Sequence, residues 1–159
     1  MERKLSGNAQ RVQDALAEAG LSSRVRELPA STRTAQEAAA AVGCGVAQIA
    51  KSLVFRGQVS GSPVLVITSG AHRVNEARLG ERLAEPVEKP DAAFVREVTG
   101  FPIGGVPPLA HVHPMRVFVD QSFLGFDEIW AAAGTPNAVF PIAPADLIRL
   151  TRGEVISVE

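Results

Sequence analysis

The chain has 159 residues, 46% of them hydrophobic and 21% charged, a size and balance suited to one soluble globular domain. Its net charge of −1 argues against broad, charge-driven nucleic-acid binding, and its single cysteine excludes an internal disulfide. No apolar run approaches the roughly 18 residues that span a bilayer, and the start, MERKLSGNAQ, has basic residues without an apolar stretch behind them, so a cytoplasmic protein with no signal and no membrane association is expected.

In chain order, a first helix is expected over Gly7 to Ala19, capped by Ser6 and ended by Gly20, with Val12, Ala15, Leu16 and Ala19 on one face. Arg24 to Leu28 reads as a short strand stopped by Pro29. Thr34 and Glu37 form a capping box that opens an alanine-rich helix ending near Gly43. A second helical turn is expected over Val46 to Ala50, with Lys51 directly after it and a strand over Ser52 to Phe55. The Gly- and Ser-rich stretch Arg56 to Pro63 reads as a hairpin loop, and Val64 to Thr68 as a buried strand. Asn75 caps a helix to about Ala84, Pro86 and Pro90 break the chain, and Asp91 caps a helix to about Val98. Thr99 to Pro108 holds too many glycines and prolines for a regular element. Strands follow over Arg116 to Asp120, Glu128 to Ala132 and Ala138 to Ile142, then a helix over Asp146 to Leu150 and a strand over Val155 to Val158. With few aromatics (seven Phe, one Trp, no Tyr), the core must rest on Val, Leu, Ile and Ala. The mixture lacks a regular βαβ rhythm and gives a single α+β domain, residues 1–159, with a mixed, largely antiparallel sheet.

Several residues are able to carry chemistry, and each has a plainer reading beside it. Lys51 lies between apolar stretches, where partial desolvation would favour acid–base use of its amine; from position alone it reads more simply as an edge lysine reaching water. The loop Gly100-Phe-Pro-Ile-Gly-Gly-Val-Pro-Pro108 offers N–H groups at Gly104, Gly105 and Val106 to a developing oxyanion, or is a rigid crossover. His111 and His113 alternate as if on one strand face, but two imidazoles fall short of the three protein ligands of a catalytic zinc site, and neither a metal nor a cofactor is expected. Cys44 is a nucleophile only with a lowered pKa and otherwise a small buried side chain. The groups Arg24, Arg26, Arg33 and Arg73, Arg78, Arg82 read as solvated surface charge.

Taken together, Gln48-Ile-Ala-Lys-Ser-Leu-Val-Phe55, Thr99-Gly-Phe-Pro-Ile-Gly-Gly-Val-Pro-Pro-Leu109, and Gly134-Thr-Pro-Asn137 through Asp146-Leu147 resemble the YbaK/ProX family, which includes the editing domain of bacterial prolyl-tRNA synthetases and its free-standing relatives. The resemblance runs from about residue 8 to the end. It implies an α+β fold around a partly barrel-like sheet and metal-independent deacylation of mischarged aminoacyl-tRNA, held at its acceptor end, with a synthetase as a possible partner. It also implies that Lys51 is the active-site lysine and that Gly104 and Pro108 end a GxxxP motif bordering the aminoacyl group. Gly134, Thr135, Asn137, Thr68 and Ser69 are the further substrate-binding residues expected. Near Gly134 some members carry Ser-Gly-Gly and basic residues, and some carry Asp where this chain has Asn75. These departures bear on which amino acid is removed: Ala, Cys, Ser, Thr or another. Two other readings stand beside the deacylase: a binding or regulatory module of the same fold, and a hydrolase of another small aminoacyl ester or amide.

Overall fold

The computed structural model describes residues 5–159; the charged start of the chain lies in residues 1–4, outside them. Helix α1 (Gly7–Glu18) buries Ala9, Val12 and Leu16; Ala15 and Ala19 of the expected stripe are half-buried, and Ser6 makes no side-chain cap. The chain then forms β1 (Arg26–Glu27) and α2 (Ala35–Val42), whose Thr34–Glu37 capping box is complete. The turn expected over Val46 to Ala50 is shorter, a 3-10 turn over Val46–Gln48, because Ile49 and Ala50 already pair with Trp130 and Ala131. Strand β2 therefore runs Ile49–Gly57, and Lys51 lies inside it, not ahead of it.

Strand β3 (Pro63–Ser69) is antiparallel to β2 with Lys51 opposite Thr68. Helix α3 (Glu76–Leu83) and helix α4 (Ala92–Thr99) start at Asn75 and Asp91, whose side chains accept the Arg78 and Phe94 amides. Between them the proline-flanked stretch holds a short strand, β4 (Val87–Glu88), paired with Arg56 and Gly57. The rest is β5 (Arg116–Asp120), a 3-10 turn over Gln121–Gly125, β6 (Ile129–Ala132), β7 (Ala138–Ile142), α5 (Pro144–Thr151) and β8 (Glu154–Ile156). No helix among the described residues is long and apolar enough to cross a membrane.

The strands form one mixed sheet in the order β1-β7-β6-β2-β3-β5-β8, with β4 beside β2. Antiparallel pairs join β1–β7, β2–β3, β2–β4 and β6–β7; parallel pairs join β2–β6, β3–β5 and β5–β8. This is the mixed α+β domain expected.

Alternation along β2 decides what each face meets. Ala50 and Val54 join the largest core with Leu16, Phe101, Val106, Phe123 and Phe140. The other face divides. Ile49 packs with Trp130 and the alanines of α2, whereas Leu53 and Phe55 pack with Leu79 of α3 and Phe118. Lys51 projects from that second face, between the two apolar clusters. A half-buried cation at such a seam keeps its stem dry and its ammonium near water.

Candidate active site

The glycine loop is built from its ends inward. Gly100 ends α4 with φ +82°, and the Thr99 hydroxyl donates to Val95 O (2.7 Å) while accepting the Phe101 N–H (3.1 Å). Phe101 is fully buried; a ring sunk this way contributes about 1.5–3 kcal/mol and ties the loop to the core. Arg11 of α1 lies 4.5 Å above that ring and donates to Gly100 O at 3.3 Å. The Gly105 N–H closes a turn on Pro102 O (3.1 Å), and the Gly105 carbonyl accepts the Gly134 N–H (2.8 Å).

Three free amides were expected at Gly104, Gly105 and Val106; Gly105 is the exception, since both its backbone groups are engaged. Among the described residues, the Gly104 and Val106 N–H groups have no partner. Val106 sends its side chain into the core, and Pro107 and Pro108 are buried, so the loop presents backbone. A Cβ on Gly105 would lie 2.9 Å from the Thr135 backbone, and one on Gly104, at φ +92°, would lie 3.1 Å from Cγ of Arg33. His111 braces the far end: Nε2 stands 2.7 Å from Pro107 O, so that nitrogen carries the proton and donates. Burial pushes the His111 pKa below its ordinary value, outweighing this bond, and keeps the ring neutral. The 110–115 stretch is not a strand, so His111 and His113 do not share a strand face; His113 is exposed.

The turn after β6 carries the loop. Gly134 adopts φ +93° with its carbonyl accepting from Asn8 Nδ2 (3.2 Å). The Thr135 hydroxyl donates to Asn137 Oδ1 (3.0 Å), and Asn137 Nδ2 donates to Leu28 O (2.9 Å). The polar atoms of Thr135 and Asn137 are thus taken up in building the turn, not left open as expected of substrate-binding groups.

Lys51, Thr68 and Ser69 belong to a second group. Thr68 follows Ile67, the partner of Val119 on parallel β5, and so stands beside Asp120. Lys51, Thr68 and Asp120 make a polar row across three strands on one face. Asp120 is buried and accepts from the Ser69 N–H (3.0 Å), the Ser122 N–H (2.9 Å), the Thr68 hydroxyl (3.4 Å) and His72 Nδ1 (2.8 Å). Burial alone would raise its pKa; the Ser69 and Ser122 amides and His72 outweigh that and hold it below the ordinary value. Thr68 and Ser69 are fully buried, so they brace Asp120 where direct substrate contact was expected.

Among the described residues the two groups are linked only through β6, with Lys51 on the opposite face of β2 from the core that holds Phe101 and Val106. Ala131 of β6 pairs with Ala50 beside Lys51, and the exit of β6 leads through Ala133 to Gly134 and so to the Gly105 carbonyl. Next to Lys51, Ser52 Oγ is buried without a hydrogen-bond partner, on the face of Ala50 and Val54 that shares its core with Phe101 and Val106. Reading the sequence did not single out Ser52, Asp120 or the placement of Arg33; only the last had a signal, as one of three neighbouring arginines.

Two other candidates fall away from this place. Burial, followed by the Glu128 charge, pushes the Cys44 thiol up, against a nucleophile. Asn75 caps α3 and lines a cavity of about 330 Å³ with Arg78, Arg82 and Ser157, with no residue of the 104–108 loop in its wall. Among the described residues no group of three or more His, Cys, Asp or Glu is placed to hold a metal ion.

Residues 29–150 match the aminoacyl-tRNA editing domain, a span that takes in Lys51, the glycine loop and the 134–137 turn. The chain belongs to that family. The editing-domain fold recurs in a solved structure described as a candidate trans-editing enzyme for prolyl tRNA synthetase, 45% identical, covering 98% of this chain and 99% of that one with a TM-score of 0.92. The protein YwhH of Bacillus subtilis (strain 168) is 28% identical over 131 residues, 82% of this chain and 83% of its own. A proline–tRNA ligase of Desulfovibrio desulfuricans is 33% identical over 104 residues, 65% of this chain but only 17% of the ligase. The YbaK/ProX resemblance read from the motifs and the editing-domain match agree.

Proposed function

We propose that the chain, as one editing domain over residues 1–159, is a trans-editing deacylase that hydrolyses the ester of mischarged aminoacyl-tRNA. The observation that carries this reading is the editing-family match across residues 29–150, a span that includes Lys51 and the loop whose Gly104 and Val106 amides are unpartnered. The substrate is a small amino acid on the acceptor end of tRNA-Pro or a related tRNA, in the cytoplasm, with a prolyl-tRNA synthetase as the partner whose errors it clears. A synthetase pocket excludes a smaller amino acid poorly, since a methylene is worth about 1–3 kcal/mol, and a second hydrolytic site multiplies the discrimination.

In this mechanism the ester carbonyl oxygen sits against the Gly104 and Val106 N–H groups. Gly105 uses both its backbone groups to fix those amides in place, so they need no reorganisation as charge develops. Water adds to the carbonyl carbon, the bond from that carbon to the ribose oxygen breaks, and the proton lost by the water passes to the ribose oxygen. The neighbouring ribose hydroxyl or the α-amino group of the substrate assists that transfer. The products are the free amino acid and uncharged tRNA. Lys51 holds the terminal phosphate or other polar groups of the substrate. Pro108, Gly134, Thr135 and Asn137 shape the wall, and Thr68 and Ser69 steady the strands beneath Lys51. No metal takes part.

The test is a panel of tRNAs charged with Ala, Cys, Ser or Thr, followed for loss of label with the purified protein. One or more should be cleared faster than in buffer, with no change on adding a chelator. A panel cleared no faster than in buffer would end the enzyme reading; loss of activity with chelator would end its metal independence.

A further inference from the structure

We infer that Arg33 is a substrate-positioning residue that binds a phosphodiester of the single-stranded acceptor end and so presents the ester to the glycine loop. The inference rests on the deacylase reading above. Its first support is contact. The Arg33 stem lies over Gly104, with Cγ, Nε and Cδ 3.1, 3.3 and 3.5 Å from where a Cβ would be. Gly104 leaves room for that stem, and the guanidinium is thereby set at the rim of the loop whose free amides would face the acyl carbonyl.

The second support is the fixing of the backbone that carries Arg33. The buried Thr32 donates to Pro136 O twice, from its N–H (2.7 Å) and its hydroxyl (3.1 Å). Leu28 donates to Asn137 O (2.8 Å) and accepts from Asn137 Nδ2 (2.9 Å). The Arg33 N–H is itself taken by Ser31 Oγ (3.2 Å), and Thr34 closes the α2 capping box. The 28–34 strap is therefore tied to the same 134–137 turn that holds Gly105, and Arg33 keeps its place relative to the loop.

The third support is charge without a partner. Arg11 stacks on Phe101 and donates to Gly100 O, Arg26 covers Trp130, and Arg56 pairs with Glu88. Among the described residues, exposed Arg33 makes no ion pair, no side-chain hydrogen bond and no ring contact. Near the ester, aminoacyl-tRNA offers an α-ammonium, which a guanidinium repels, and phosphodiesters, which it binds through two parallel N–H bonds. The anion that Arg33 can take is thus the phosphate chain leading to the terminal adenosine.

The test uses two esters of the amino acid that the wild-type protein removes fastest, one on tRNA and one on phosphate-free adenosine, together with binding of a short single-stranded RNA ending in CCA. Arg33→Ala should weaken RNA binding roughly 10- to 100-fold, the range of a charge-assisted contact, and make the log–log salt slope shallower by about 0.7. It should raise KM for the tRNA ester and leave hydrolysis of the adenosine ester within twofold of wild type. Arg33→Met, which keeps the stem over Gly104 but not the charge, should behave like Arg33→Ala, and Arg33→Lys should recover part of the binding. Unchanged RNA affinity in Arg33→Ala and Arg33→Met, or equal loss on both esters, would overturn the inference. A wild-type protein that binds the RNA but clears no member of the charged-tRNA panel would instead sink the deacylase reading, leaving the RNA arm to judge Arg33.

Discussion

The glycine loop is bonded to the turn that follows β6, the Lys51–Thr68–Asp120 row starts on β2 beside it, and they are made of different materials. In the loop, main-chain groups do the holding: Gly105 bonds to Pro102 and Gly134, and the side chains of Phe101 and Val106 turn inward. In the row one side chain does it: the buried Asp120 carboxylate gathers the Ser69 and Ser122 amides, the Thr68 hydroxyl and His72. A backbone-built site tolerates changes of side chain where no Cβ contact forbids them, but fails abruptly where one does. A side-chain row responds to charge and protonation. The difference gives each region its own way to be broken.

The largest effect is expected at Gly105. A methyl 2.9 Å from the Thr135 backbone must push the loop off its turn. Gly105→Ala should lower deacylation at least about 100-fold, since displacements near 1 Å cost that much in positioned reactions. It should also lower stability by about 1–3 kcal/mol, read by thermal melting. Lys51→Ala comes next. Deacylation should fall about 100-fold, the range for a lost electrostatic contact, with a melting temperature close to wild type, because the ammonium sits at a seam and not in a core. Full rate in Lys51→Ala would remove it from the site.

Asp120→Asn should leave the loop in place and cost about 1–3 kcal/mol, because an amide nitrogen would confront donors where a carboxylate accepted them. The smallest effects are in pH, and they separate the two regions most cleanly. His111 has a lowered folded pKa, so its contribution is present above its ordinary 6.5 and is lost as pH falls below that value. Asp120 is also lowered, from an ordinary 3.8, so its contribution persists through that range and is lost only as pH falls through its still lower folded value. Protection of the 104–108 loop, after correction for the intrinsic exchange rate, should therefore begin to fall as pH drops through about 6.5 while β3 and β5 stay protected, and His111→Gln should abolish the early step.

What could be read from the sequence followed how local the physics is. Thr34–Glu37, Asn75 and Asp91 cap helices through bonds three residues long, so residue type and spacing suffice. Lys51 and the glycine loop stood out because a cation among apolar residues and a dense Gly/Pro run are unusual in themselves. Strand β4 was not legible, since a two-residue strand exists only through its pairing with Arg56 and Gly57. The placement of Lys51 inside β2 came from Trp130 and Ala131, some 80 positions away, overriding the helical spacing of Val46 to Ala50. The loss of the Gly105 amide to Pro102, the closing of Thr135 on Asn137, and the seat of Arg33 on Gly104 are all matters of three-dimensional fit that spacing does not encode.

The account is tested most directly by the backbone amides of the loop themselves. With ¹⁵N-labelled protein, a non-hydrolysable amide analogue of 3′-aminoacyl-adenosine should shift the Gly104 and Val106 resonances most and Gly105 little, since its N–H stays on Pro102. An analogue that binds while leaving 104–106 unmoved, and instead shifts residues around the cavity of His72, Gln121 and Glu159, would contradict the assignment of the loop as the place where the ester is cut.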